Sequence, residues 1–255
     1  MAQDEVDRQA PGPPAPPAGS PTAPLDHRER RQLDVIRRFG TVGALLLAVG
    51  SLGAGAAPVN NPVWGLPVFG LFSRMTTVSL AIAFAGVFMI VLAWLGLGRL
   101  SLPGRARMVS LPQMARTLVM WTAPLVLTVP MFSKDVYSYL AQSEIAARGL
   151  DPYTVGPADA LGINDVLTKN VPTMWRDTPS PYGPLFLVVG RGITWITGDH
   201  VVMGVAFHRL LALAGFAMIV WALPRLARRF GRGGGNDPRG LQARHRTAGL
   251  CGSGA

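Results

Sequence analysis

Residues Phe39–Ala57 read FGTVGALLLAVGSLGAGAA, nineteen positions without a charge and rich in glycine and alanine. At about 1.5 Å per residue, a helix of this length covers roughly the 30 Å hydrocarbon core of a bilayer. Its small residues suit close helix packing in lipid. No charge follows until Arg74. Pro58–Pro67, with Asn60, Asn61 and Trp64, reads as a loop carrying an interfacial aromatic. The pattern then repeats: Val78–Gly98 forms a second span, and Thr117–Phe132 a third, kinked by Pro124 and ended at Pro130. A last span covers Val201–Leu223.

The composition of the whole chain agrees. Its 255 residues are 49% apolar and 15% charged, against about 25% charged in an average soluble domain. Mean hydropathy is +0.30. That excludes a soluble globule, and the apolar content excludes disorder throughout. A single cysteine, Cys251, excludes a disulfide scaffold. The expected fold class is an all-α polytopic membrane protein with four transmembrane helices plus outer juxtamembrane helices.

The net charge of +10 comes from 24 basic and 14 acidic residues, and only Lys134 and Lys169 of the basic ones are lysines. The arginines flank the apolar runs instead of forming one face, so no nucleic-acid partner is expected. Arg28, Arg30, Arg31, Arg37 and Arg38 precede the first span; Arg99, Arg105, Arg107 and Arg116 follow the second; Arg225, Arg228, Arg229 and Arg232 follow the last. The positive-inside rule puts these flanks in the cytoplasm. Region 133–200 then faces outward, with five basic and seven acidic residues and no clean span. Within it Tyr182–Thr197 is interrupted by Gly190, Arg191 and Gly192; it reads as a helix lying along the outer interface.

The expected organisation follows: a disordered basic cytosolic leader over 1–38, three transmembrane helices over 39–132, an outer loop with juxtamembrane helices over 133–200, a fourth transmembrane helix over 201–223 and a basic tail over 224–255. Met1–Pro24 is rich in proline and acidic at its start, unlike a signal peptide. From Gly231 the sequence turns glycine- and arginine-rich with no apolar periodicity. It reads either as a cytosolic tail or as a frameshifted end.

Chemistry concentrates in the outer loop. If Asp135 opens a helix, Ser138, Tyr139 and Gln142 fall on its face and Val136, Leu140 and Ala147 on an apolar one. A carboxylate at the membrane surface can accept a proton from a substrate hydroxyl; equally, Asp135 can cap the helix or sit in its first turn behind Ser133. Asp151-Pro152-Tyr153, after Gly149, reads as a stop and turn. Trp175 to Leu185 carries three prolines, Pro179, Pro181 and Pro184, the last suited to the first turn of a helix. Its aromatics, Trp175 and Tyr182, suit either the interface or stacking on a sugar or isoprenoid. Arg209 lies inside the outer part of the last span, either as a ligand for a lipid phosphate or snorkelling to headgroups. The chain has no P-loop, no G-x-G-x-x-G before a helix, no HExxH and no Cys/His cluster; its histidines, His27, His200, His208 and His245, are scattered. No cofactor or metal is evident.

Taken in order, Phe132-Ser133-Lys134-Asp135-Val136-Tyr137-Ser138-Tyr139, Ala146-Ala147-Arg148-Gly149-Leu150-Asp151-Pro152-Tyr153, Ser180-Pro181-Tyr182-Gly183-Pro184-Leu185, His208-Arg209-Leu210-Leu211-Ala212-Leu213 and Leu226-Ala227-Arg228-Arg229 resemble the amino-terminal part of GT-C membrane glycosyltransferases. The nearest likeness is to actinobacterial polyprenyl-phosphate-mannose-dependent α-(1→6)-mannosyltransferases that extend lipomannan and lipoarabinomannan. The resemblance implies a partial GT-C fold in the plasma membrane. It implies a polyprenyl-phosphate-mannose donor, a mannan lipoglycan acceptor and contact with membrane lipid. It places the catalytic base at Asp135. Lys134, Tyr137, Tyr139, Tyr182 and Arg209 are the candidate substrate-binding residues, Arg209 by its position in the last span as a neutraliser of the lipid phosphate. Members of that superfamily carry about ten or more spans, so the arginine/glycine tail reads as a departure from a longer pattern. The competing expectation is an inactive fragment or a non-catalytic membrane assembly or transport protein. A transporter, however, is expected to show paired broken helices or an internal repeat, and only the third span is kinked.

A reporter enzyme fused after Gly231 tests the orientation. Activity is expected only on the cytoplasmic side; activity confined to the outer side refutes the assignment.

Overall fold

The computed structural model describes residues 23–61, 65–67, 69–102, 105 and 107–233; side chains of 230–233 are not described. The expectations for 1–22, for Trp64 and for 234–255, including His245 and Cys251, lie outside these residues. Among the described residues the fold is all helical, apart from one isolated bridge between Ala23 and Arg107. Three helices are long and apolar enough to cross a membrane. The chain is an all-α membrane protein. It divides into two compact units at Lys134 and Asp135.

In the first unit, α1 spans His27–Ala54, α2 Phe69–Arg74, α3 Thr76–Leu100 and α4 Leu111–Val126. Residues 27–38, expected within the leader, are helical. A capping box starts the helix at Asp26, whose side chain accepts from the Glu29 N–H at 2.7 Å while Glu29 accepts from the Asp26 N–H at 3.1 Å. Arg37 is not a solvated flank. It is 5% exposed, pairs with Asp34 at 2.7 Å and donates through Nε to Thr117 Oγ1 at 3.1 Å. Trp121 of α4 lies on Gly40 and donates its indole N–H to Arg37 O at 3.0 Å.

α1 and α3 pack closely because both present glycines at the crossing. An ideal Cβ built on Gly86 would lie 2.6 Å from Gly43 O, and one on Gly43 would lie 2.8 Å from Met89 Cβ. Those distances leave room for a hydrogen and nothing larger, and the approach is the small-residue packing that lipid-embedded helices use in place of a hydrophobic driving force. At the other end of the pair, Leu25, Leu33, Leu97 and Leu100 form a buried cluster backed by Ile36, Val109, Met114 and Trp121.

The helix expected over 117–132 lies upstream of that, over Leu111–Val126. Gln113 Oε1 accepts the Ser110 N–H at 3.0 Å, fixing the start, and the helix ends two residues past Pro124. At 16 residues it is about 24 Å long and does not count among the three helices able to span by length. The segment after it is held to α1: Ser51 Oγ accepts the Val129 N–H at 3.0 Å, and Pro130 O accepts the Ala56 N–H at 2.7 Å.

In the second unit, α5 spans Asp135–Ala147, α6 Pro157–Leu161, α7 Val166–Asn170, α8 Pro184–Thr197 and α9 Val201–Gly233, with a single 3-10 turn at Thr173–Trp175. α9 continues ten residues beyond the expected end at Leu223, through Pro224. α5, α8 and α9 pack against one another. α8 buries Leu187, Gly190, Ile193, Thr194 and Thr197 and exposes Leu185, Val188, Trp195 and Ile196. Its second face is thus mostly apolar but also carries the exposed Arg191, whose guanidinium lies 5.8 Å from the Trp195 ring, and at 14 residues the helix is well short of the roughly 20 that a span needs.

Gly86→Leu forces α1 and α3 apart and is expected to lower the thermal unfolding temperature of the solubilised protein, at an overpacking cost of about 1–3 kcal/mol or more. Gly98→Leu, where a Cβ meets nothing within 4 Å, is expected to be neutral. Equal effects of the two changes refute the close-packing account.

Candidate active site

The site is built on the first two turns of α5 and the segment that leads into α8. Asp135 is the first residue of α5 and is exposed in its first turn. There the helix dipole favours its negative charge. Ser138 and Gln142 follow at i+3 and i+7 on the same side. With Trp175, Thr178, Pro179, Pro181 and Tyr182 these three residues line a cavity of about 300 Å³. Gln142 is 2% exposed, donates through Nε2 to Thr178 O at 3.2 Å and keeps Oε1 buried without a hydrogen-bond partner.

The opposite wall is a proline-rich strap tied down by local turns. Gly149, at φ 77°, takes the left-handed conformation that ends α5. Asp151 Oδ1 accepts the Tyr153 N–H at 2.9 Å, closing an Asx turn. Pro152 O accepts the Ser180 N–H at 2.7 Å, and the Tyr153 hydroxyl donates to Tyr182 O at 2.8 Å. The Asp151-Pro152-Tyr153 motif is thus turn chemistry that also anchors the strap carrying Tyr182. Further along, Arg176 donates to Val171 O and Lys169 O, each at 3.0 Å, and its own carbonyl accepts the Ala158 N–H at 2.8 Å.

The remaining sequence candidates fall in different places. Tyr139 does not line the cavity. Its ring meets Tyr182 edge-on at 4.9 Å and Phe186 at 5.1 Å, with His208 at 6.1 Å. Tyr137 is 2% exposed, and burial pushes its hydroxyl up to about 12, against a smaller opposing pull from Arg209. Arg209 is half-buried on α9 and bears on Tyr137; it is not among the cavity-lining residues. Lys134 is exposed just before α5 and also does not line the cavity. Burial raises Tyr139, and the Asp135 carboxylate adds to it. Burial likewise pushes Tyr182 up to about 12, reinforced by Tyr139 and Asp135. Both tyrosines are therefore neutral hydroxyl donors over the physiological range, facing a carboxylate.

Sequence reading missed Phe186 and His208. His208 is 6% exposed within α9; Nδ1 lies 2.9 Å from Gly204 O, so it carries the proton, and Nε2 is buried without a partner. The available signal was its i+4 spacing from Gly204, at which Leu140 of α5 packs against α9. Among the described residues no three His, Cys, Asp or Glu side chains converge on a metal position.

Residues 37–236 match the family model described as alpha-(1->6)-mannopyranosyltransferase, N-terminal domain. The chain belongs to this family. It is 53% identical over 210 residues to a probable alpha-(1->6)-mannopyranosyltransferase of Mycolicibacterium smegmatis, an overlap covering 82% of this chain and 37% of that one. An alpha-(1->6)-mannopyranosyltransferase of Mycobacterium tuberculosis is 54% identical over 210 residues, covering 82% of this chain and 35% of its own. Alpha-(1->6)-mannopyranosyltransferase B of Corynebacterium glutamicum is 42% identical over 212 residues, covering 80% and 35%. The chain thus spans little more than a third of the length of the relatives it matches. No solved structure matches it. The cavity and every residue that builds it fall inside the part shared with the family.

The two tyrosines raised furthest, Tyr137 and Tyr182, make stability sensitive to strong base. In the folded protein Tyr137 and Tyr182 hold their protons to about pH 12, whereas in the unfolded chain they release them near 10. Below about pH 10 their contribution is fully present, and it is lost as pH rises from about 10 through 12. Phenolate absorbance is expected to show two late-titrating tyrosines, and Tyr137→Phe or Tyr182→Phe to flatten the stability loss in that window. Four tyrosines titrating together near pH 10 in the folded protein contradict this.

Proposed function

We propose that this chain forms the front part of a membrane mannosyltransferase, with Asp135 as the general base. In this reading a mannan acceptor hydroxyl enters the cavity, its oxygen attacks the anomeric carbon of polyprenyl-phosphate mannose, and the bond from that carbon to the phosphate oxygen breaks. The acceptor proton passes to the Asp135 carboxylate, and the lipid phosphate leaves with the electron pair. A single displacement inverts the anomeric centre, turning a β-linked donor into an α product.

The observation that carries this reading is the carboxylate of Asp135 beside a sugar-sized cavity that also holds a buried, unpartnered acceptor, Gln142 Oε1, and the rings of Trp175 and Tyr182. A sugar ring offers both features it needs: hydroxyls to donate to the amide oxygen, and a C–H face to lie on an aromatic ring. The family match supplies the sugar and the linkage class. Arg209, a candidate phosphate partner by its position in the last span, neutralises charge near α5; Lys134, Tyr137 and Tyr139 contribute through their position around it. The orientation argued from the arginine flanks puts the cavity on the outer face of the plasma membrane, with four crossings if the segment after α4 completes the third.

Membranes carrying the chain are assayed with lipid-linked radiolabelled mannose and a short α-mannoside. Asp135→Asn is expected to lower transfer by about 10²–10⁴-fold at unchanged expression, while Gln142→Leu raises KM more than it lowers kcat. Donor titration is also expected to change tryptophan fluorescence, with the change absent in Trp175→Phe. Transfer that survives Asp135→Asn removes Asp135 from the role of base.

A further inference from the structure

The first unit holds a second cavity, of about 570 Å³, where α1 and α3 diverge at their basic ends. Arg28, Arg31, Gln32, Val35 and Ile36 line it from α1 at the i, i+3, i+4, i+7 and i+8 positions of one helical face. Gly96, Arg99 and Leu100 line it from α3. Three guanidinium groups therefore face one cleft.

The acids nearest to it in sequence are committed elsewhere. Asp26 pairs with Arg107 at 2.8 Å, Glu29 with Arg105 at 2.8 Å, and Asp34 with Arg37 at 2.7 Å. The side chains of Arg31 and Arg99 have no hydrogen-bond or ion-pair partner among the described residues. Thus three carboxylates stand within little more than two helical turns, each bonded to an arginine outside the cleft; Asp26 still bears electrostatically on Arg28, so the cleft's uncompensated positive charge rests on Arg31 and Arg99. Arginine's planar fork suits a phosphate better than a lone point charge would.

The cleft is also two-sided. Val35 lines the cleft with the arginines; Phe39 and Val42, four and seven residues further along α1, and Leu92, four residues before Gly96 on α3, lie outside its lining and are exposed in register with it. These belong to helices long and apolar enough to cross a membrane. A free phosphate or a nucleic acid would use the arginines and leave this apolar track bare. A phospholipid uses both parts, its phosphate between Arg28, Arg31 and Arg99 and an acyl chain along the track.

We infer that this cleft is a binding site for an anionic phospholipid, held by its headgroup phosphate at the basic ends of α1 and α3. It shares no residue with the cavity at Asp135, so it stands or falls independently of the catalytic reading.

The test is native mass spectrometry of the full-length purified chain, titrated with phosphatidylglycerol, phosphatidylcholine or soluble glycerol phosphate. Phosphatidylglycerol adducts are expected to persist where phosphatidylcholine adducts dissociate. Arg31→Gln with Arg99→Gln is expected to weaken them roughly ten- to thirtyfold, since each arginine near an anionic headgroup contributes about 1 kcal/mol. Gln32→Glu leaves the packing untouched and places a carboxylate four residues from Arg28, inside the cleft; it is expected to weaken the adducts about tenfold by competing for the arginines. Arg74→Gln, which removes an exposed charge outside the cleft, is expected to have no effect. Equal retention of the two lipids, undiminished phosphatidylglycerol binding in the cleft variants, or displacement of the lipid by equimolar glycerol phosphate overturns the proposal.

Discussion

An apolar solvent offers a peptide group nothing to bond to, and this chain is shaped by that limit. Each unpaired N–H or C=O in hydrocarbon costs several kcal/mol, so long uncharged stretches become helices whose backbone bonds close within the segment. Helix ends then become the places where polarity is allowed, and both sites lie there. The cavity at Asp135 forms at the start of α5, and the arginine cleft forms where α1 begins and α3 finishes. Between those ends the helices have only shape with which to recognise one another, hence the glycine contact of Gly43 with Gly86.

The second unit solves a different problem. Its loop from Gly149 to Gly183 is long for a segment without extended secondary structure, and it bears the wall of the cavity. Order comes from many small, local fixings: an Asx turn at Asp151, the carbonyls taken up by Arg176, and the Tyr153 hydroxyl on Tyr182 O. Pro179 and Pro181 reduce the freedom the strap has to lose. A wall built this way, with Pro157, Leu167 and Val171 buried beneath it, can be placed against α5 closely enough to define a cavity.

Periodicity made α1, α3 and α9 legible, because an uncharged apolar window of about 20 residues matches the thickness of a bilayer core and exceeds what most soluble helices bury. The same 3.6-residue period put Asp135, Ser138 and Gln142 on one face of α5. It also put Tyr139 there, and the structure turns that ring toward Phe186 and Tyr182. The cause is α8, whose packing cannot be read from the residues of α5 alone. Hydropathy sets α4 too far downstream because it follows apolar content, whereas the helix starts where Gln113 Oε1 takes the Ser110 N–H. Charge counting treats arginines alike and so groups Arg37 with its neighbours as a flank. Its burial depends on Thr117 on another helix. What the sequence alone missed was, in each case, a contact between segments far apart along the chain.

Arg37 carries a consequence for the order in which the protein is made. Its hydroxyl partner, Thr117, is 80 residues further along the chain, so α1 is synthesised and ready to enter the bilayer long before that bond can form. Asp34, one turn back on the same helix, is available from the start and occupies one of the guanidinium donors at 2.7 Å. The nascent helix thus brings its own partial neutraliser, and the wait for α4 is spent with the arginine paired in place of bare.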